Sequence, residues 1–128
     1  MEQKNPDVAG SSSSTTSAVD NFNEGIRCMM SEDMKQAKKY FQLAADQGLD
    51  KAQMNLGSMF RQEGDMKNAL KYYQLGADQG QRECMKNVGY FYYQGLGVEK
   101  DHQKAFEWYK KAADLGKSMN FIVILFSY

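Results

Sequence analysis

The segment LAADQG ends at Gly48, LGADQG ends at Gly80 and KAADLG ends at Gly116, so one pattern returns after 32 residues and again after 36. A fixed period of about 20–50 residues marks stacked supersecondary units, each of which buries its apolar face only against its neighbours. Such a chain builds an array rather than a domain around one pocket. A ligand site must then lie on a surface that several units share.

Each unit reads as two antiparallel helices. In the second, Ala52, Leu56, Gly57 and Phe60 share one helical face, and Ala69, Tyr72, Tyr73 and Ala77 share another after a break at Glu63-Gly64. Asp33, Asp65 and Asp101 stand at the starts of the second helices, where a carboxylate accepts a bond from a free first-turn amide. Gln36 follows Asp33 by three residues and predicts a capping box. Gly48, Gly80 and Gly116 follow the last turns, where a left-handed residue closes a helix most easily without a Cβ.

Gly25, Gly57 and Gly89 fall in mid-helix, where glycine costs about 1 kcal/mol relative to alanine. Their return at the repeat period predicts close helix approach against Ala37, Ala69 and Ala105, with Tyr40/Phe41, Tyr72/Tyr73 and Trp108/Tyr109 filling the core between. The fold is therefore all-α, with units at 18–48, 49–80 and 81–116. Residues 1–17 hold Pro6 and the run SSSSTTS; they are too poor in apolar groups to order and form a Ser/Thr-rich disordered lead.

Counted from Gly116, Ile124 falls on the Leu56/Val88 position and Tyr128 on the Phe60/Tyr92 position. Residues 117–128 thus read as the first helix of a partial fourth unit, set off by a break at Gly116. Its run Phe121–Phe126 is too short to span about 30 Å of hydrocarbon, so no membrane span is expected. Exposed apolar surface there would serve self-association or a partner, or mark a chain truncated within a unit.

Sixteen Lys and Arg are interspersed among sixteen Asp and Glu, which leaves no basic stripe for a nucleic acid. Cys28 and Cys84 lie two repeats apart and no signal segment opens the chain, which points to free thiols in a reducing cytoplasmic or nuclear setting. The single histidine, His102, has no second ligand at metal spacing. No nucleophile elbow, phosphate loop or dinucleotide fingerprint occurs, so neither cofactor nor metal is expected. The paired acids Glu32-Asp33 and Asp46/Asp50 suit helix ends better than catalysis.

The stretch NVGYFYYQGLGVEKDHQKAFEWYKKAADLG carries an insertion at Gly95–Val98, then Asp101, Lys104-Ala105, Trp108-Tyr109 and Ala112-Ala113. It resembles the Sel-one-like repeat, a relative of the tetratricopeptide repeat, best over residues 82–116. The first two units lack the insertion and keep only Ser31-Glu32 and Glu63-Gly64 between their helices, nearer the tetratricopeptide form. The resemblance implies a right-handed α-solenoid and a non-enzymatic adaptor or scaffold that binds a protein or peptide. Family members assemble complexes in protein quality control, in regulation of cell-wall synthases and in signalling. The alternatives are a regulatory repeat fragment of a larger signalling protein, such as a repeat-fused kinase, and an enzyme on a solenoid scaffold.

In a solenoid of this kind the first helices line the concave side. Asn23, Asn55 and Asn87 share the 32-residue phase there, and an amide side chain offers both donors and an acceptor to an extended peptide. Met54, Ser58, Arg61, Lys86, Tyr90 and Tyr93 stand beside them as apolar and charged candidates for the same partner site. The competing reading of the asparagines is local bonding between neighbouring units.

Overall fold

The computed structural model describes residues 16–127, with side chains described as far as Lys117. The described residues form six helices: α1 (Ala18–Met30), α2 (Met34–Asp46), α3 (Asp50–Gln62), α4 (Met66–Asp78), α5 (Arg82–Gln94) and α6 (His102–Ser127). They pack as hairpins α1/α2, α3/α4 and α5/α6, and the hairpins stack through α2 on α3 and α4 on α5. This is a right-handed α-solenoid of tandem helix pairs. The expected lead falls outside the described residues except at its end, where Ser17 accepts a bond from the Asp20 amide and caps α1.

The predicted caps hold α2, α4 and α6 in place. Asp33 accepts from the Gln36 amide, Asp65 from that of Asn68 and Asp101 from that of Lys104. The reciprocal half of the capping box is not made, because the Asp33 amide already donates to the Cys28 carbonyl at 2.8 Å. The first two hairpin turns place a left-handed residue at the same position, Glu32 in the first and Gly64 in the second.

Mid-helix glycines bring the two helices of each hairpin together. A Cβ on Gly57 would lie 2.9 Å from the Tyr73 ring and 3.2 Å from the Ala69 carbonyl; one on Gly25 would lie 2.7 Å from the Phe41 ring. The space that glycine leaves is filled by an aromatic ring, which offsets its helix-propensity cost through burial. One core cluster joins Phe41, Leu56 and Tyr72, and the next joins Tyr73, Val88 and Phe91. Tyr73 meets Phe91 edge to face at 5.5 Å, so the second unit's aromatic is covered by the first helix of the third.

Two expectations at the C-terminal end are corrected. Gly48 and Gly80 take positive φ and end α2 and α4, but Gly116 remains helical and α6 runs through it to Ser127. Residues 117–127 therefore continue the third unit's second helix instead of opening a fourth unit. The residue before each true stop is a glutamine bonded across its hairpin: Asn21 donates to Gln47 at 2.8 Å, and Gln79 donates to Gln53 at 2.7 Å. In the third unit the corresponding positions are Met85 and Leu115, which make no such bond to hold a stop. Among the described residues no first helix follows α6 to cover Tyr109, which is exposed where its counterparts Phe41 and Tyr73 are buried. The side chains of Phe121–Phe126 lie outside the described residues.

Candidate functional site

The first helices α1, α3 and α5 carry the three candidate asparagines, and all three escape the core. Asn23 is exposed, while Asn55 and Asn87 are half-buried. None of their side-chain amides bonds to a described residue. The buried amides are different ones, Asn21 and Gln53, at another phase of the same helices. Gln53 donates to the Ala45 carbonyl at 3.1 Å and accepts from Gln79. Sequence reasoning missed this structural ladder, although the recurring Gln47 and Gln79 beside Asn21 and Gln53 carry its signal.

Asn55 opens onto a hollow of about 170 Å³ between the first two units, lined also by Met29, Met34, Phe41, Ser58, Met59 and Gln62. Ser58 is partly committed, since its hydroxyl lies 2.9 Å from that of Tyr73. Met54 packs against the second core cluster and serves the fold. At the corresponding place one unit on, Arg61 covers Tyr90 and Phe91, its guanidinium carbon 5.4 and 5.6 Å from the ring centroids. Arg61 and Tyr90 are thus brought together, whereas Lys86 turns to Glu83 at 3.3 Å.

The third unit carries an aromatic surface. Tyr93 stacks on His102 at 4.7 Å, and Tyr90, Tyr93 and Tyr109 are all exposed. Partial burial pushes the Tyr109 phenol above its ordinary range, and the neighbouring Tyr90 and Tyr93 add to that shift. Each of these rings combines an apolar face with a polar tip, a composition common at protein interfaces.

The other titratable candidates are structural. The buried Cys84 thiol is pushed up to about 12, by desolvation first and then by the charges of Asp50 and Glu83, which suppresses its thiolate. Its Sγ donates to Gln81 at 2.7 Å. Both cysteines are free. Among the described residues no three His, Cys, Asp or Glu side chains converge to hold a metal ion, and no helix is long and apolar enough to cross a membrane.

Stacked helix hairpins that return at a fixed period define the chain as a tandem-repeat protein. It belongs to the Sel1 repeat family, whose repeat matches residues 21–49, 50–81 and 82–117. Sel1 repeat proteins are generally protein-interaction scaffolds. A similar solved structure is c5321, described as a protective antigen present in uropathogenic Escherichia coli strains and displaying an SLR fold. It is 35% identical with a TM-score of 0.72 over 77% of this chain and 23% of that one. A Sel1 repeat protein from Oxalobacter formigenes is 28% identical with a TM-score of 0.75, covering 84% of this chain and 86% of that one. MamA, at 22% identity and a TM-score of 0.66 over 83% of this chain and 62% of that one, shares the fold. The chain thus spans about a quarter of c5321's length. No curated protein sequence matches it.

Proposed function

We propose that this chain is a non-enzymatic scaffold that holds an extended segment of a partner protein along the concave, first-helix face. The observation that carries this reading is the Asn column: Asn23, Asn55 and Asn87 recur at one phase, and none of their amides is used by the described fold. A side-chain amide pairs with a peptide N–H and C=O together, and each such bond contributes about 0.5–1.5 kcal/mol net. The hollow beside Asn55 receives a side chain of the bound segment, and the Arg61–Tyr90 pair supplies a cationic and aromatic flank. Asn23, at the exposed edge, marks where the segment leaves the array.

A peptide library panned on the protein and on an Asn55→Ala/Asn87→Ala variant tests the site. Both proteins should melt at the same temperature, because no intramolecular bond is lost. Peptides selected by the parent should bind the variant at least tenfold more weakly. Equal affinity for the two proteins would remove the Asn column from the binding site.

A further inference from the structure

A second, larger concavity between α2 and α3 adjoins the hollow beside Asn55, sharing Met34 and Met59 with it. It has a volume of about 820 Å³ and is lined by the apolar Met34, Leu43 and Met59 together with Lys35, Lys38 and Lys39. Glu63 is the one acid lining it and is held by Lys38 at 2.7 Å. Lys35 and Lys39 have no ion-pair partner among the described residues.

The residues 32 positions on show how the fold treats this place when it is occupied. Met66 and Lys67 correspond to Met34 and Lys35, and there the chain lays its own insertion Gly95–Val98 onto the start of α4. Leu96 packs into the core cluster alongside Met66 and Leu70. Gly97 comes so close to α4 that a Cβ on it would lie 2.6 Å from the Met66 carbonyl oxygen. Gly95 and Gly97 both take positive φ, which makes a tight turn presenting one leucine. The second unit has no insertion, only Glu63-Gly64, and its groove stays open.

We propose that the α2–α3 groove docks a short acidic segment of a partner protein that presents one leucine-sized side chain from a glycine turn. The chain's own filler reads Gly-Leu-Gly-Val-Glu, an apolar turn followed by an acid. The groove offers matching apolar side chains with an excess of lysines, so charge selects and the leucine anchors. The two sites share Met34 and Met59 but differ in their polar residues, so the asparagine and lysine variants test them separately and failure of either assignment leaves the other standing.

The probe is a fluorescein-labelled peptide Glu-Gly-Leu-Gly-Val-Glu-Glu, titrated by fluorescence anisotropy at low and physiological salt. Saturable binding is expected, weaker at the higher salt. It should fall at least tenfold in the Lys35→Glu/Lys39→Glu variant and at least tenfold when the peptide leucine becomes aspartate. Those two lysines are exposed, so the variant keeps the parent melting temperature. Grafting Gly-Leu-Gly-Val into the Glu63-Gly64 turn should fill the groove and abolish binding. Absence of saturable binding at millimolar peptide, or equal binding by the charge-reversed protein, would overturn the assignment. So would self-association of the parent that the same lysine reversals abolish, which would give the groove to a second copy of the chain.

Discussion

The junction of α2 with α3 and that of α4 with α5 are built from positions 32 residues apart, yet the first is open beside Asn55 and over Met34, whereas the second is covered at both corresponding places and keeps a hollow beside Gln74 and Tyr92. Between the first two units a small hollow lies beside Asn55 and a larger groove lies over Met34 and Leu43. Between the next two, Arg61 lies over Tyr90 and Phe91, and the insertion carrying Leu96 and Gly97 lies on Met66. The residues that recur make the same core twice. The residues that do not recur decide which surface is left free for a partner.

The strongest way to break that contrast is to dislodge the insertion. Gly97→Ala places a Cβ against the Met66 backbone at a residue with φ of 66°, and should cost on the order of 3 kcal/mol from overpacking and backbone strain combined. Urea unfolding measures it; a loss below 0.5 kcal/mol, read as an order-of-magnitude threshold, would mean that the insertion does not seal the junction.

The amide bonds across the hairpins come next. Gln79→Leu leaves the buried Gln53 carbonyl unpaired and should destabilise by about 2 kcal/mol, whereas Gln53→Met/Gln79→Leu copies the third unit and should recover most of that loss. Failure of the second change to rescue the first would show that the pair does more than satisfy itself. Arg61→Ala should cost about 0.5–1 kcal/mol and open at the second junction the hollow already present at the first. Enhanced partitioning of a small apolar dye would report the opening, and no change in either readout would leave Arg61 without a role there.

The smallest effect is a pH dependence at the cap of α4. The Asn68 side-chain amide, followed by the Asn68 backbone amide, holds the Asp65 carboxyl below its usual range. Its stabilising contribution is present above the carboxylate's unfolded-state pKa and is lost as pH falls through the lower folded-state value. Replacing Asp65 with Asn should flatten that acid limb of the stability curve. An unchanged limb would assign the dependence to other carboxylates.

The array was legible because glycine, alanine and aromatic residues recur at helical spacing, and close approach of paired helices permits few other solutions. The aspartate caps were legible for the same local reason. What stayed hidden depended on pairs remote in sequence. Gly48, Gly80 and Gly116 look alike in their own segments, and the difference lies in whether the residue before each meets an amide 26 positions earlier, as Gln47 meets Asn21. Likewise, Tyr109 has the sequence pattern of a core residue, but no described helix follows α6 to cover it as α5 covers Tyr73. Within the candidate site, the phase picked out the asparagines left free, while the commitment of Ser58 to Tyr73 and of Met54 to the core required the packed helices.

The central claim is that the open polar face of the first helices is where this scaffold holds its partner. The direct test is the side-chain amide signals of Asn55 and Asn87 in a nitrogen–proton correlation spectrum, followed as a library-selected peptide is added. Both signals should move progressively and saturate with the peptide, while those of Gln53 and Gln79 stay in place. Saturating peptide that leaves both asparagine signals unmoved would place the binding site elsewhere on the molecule.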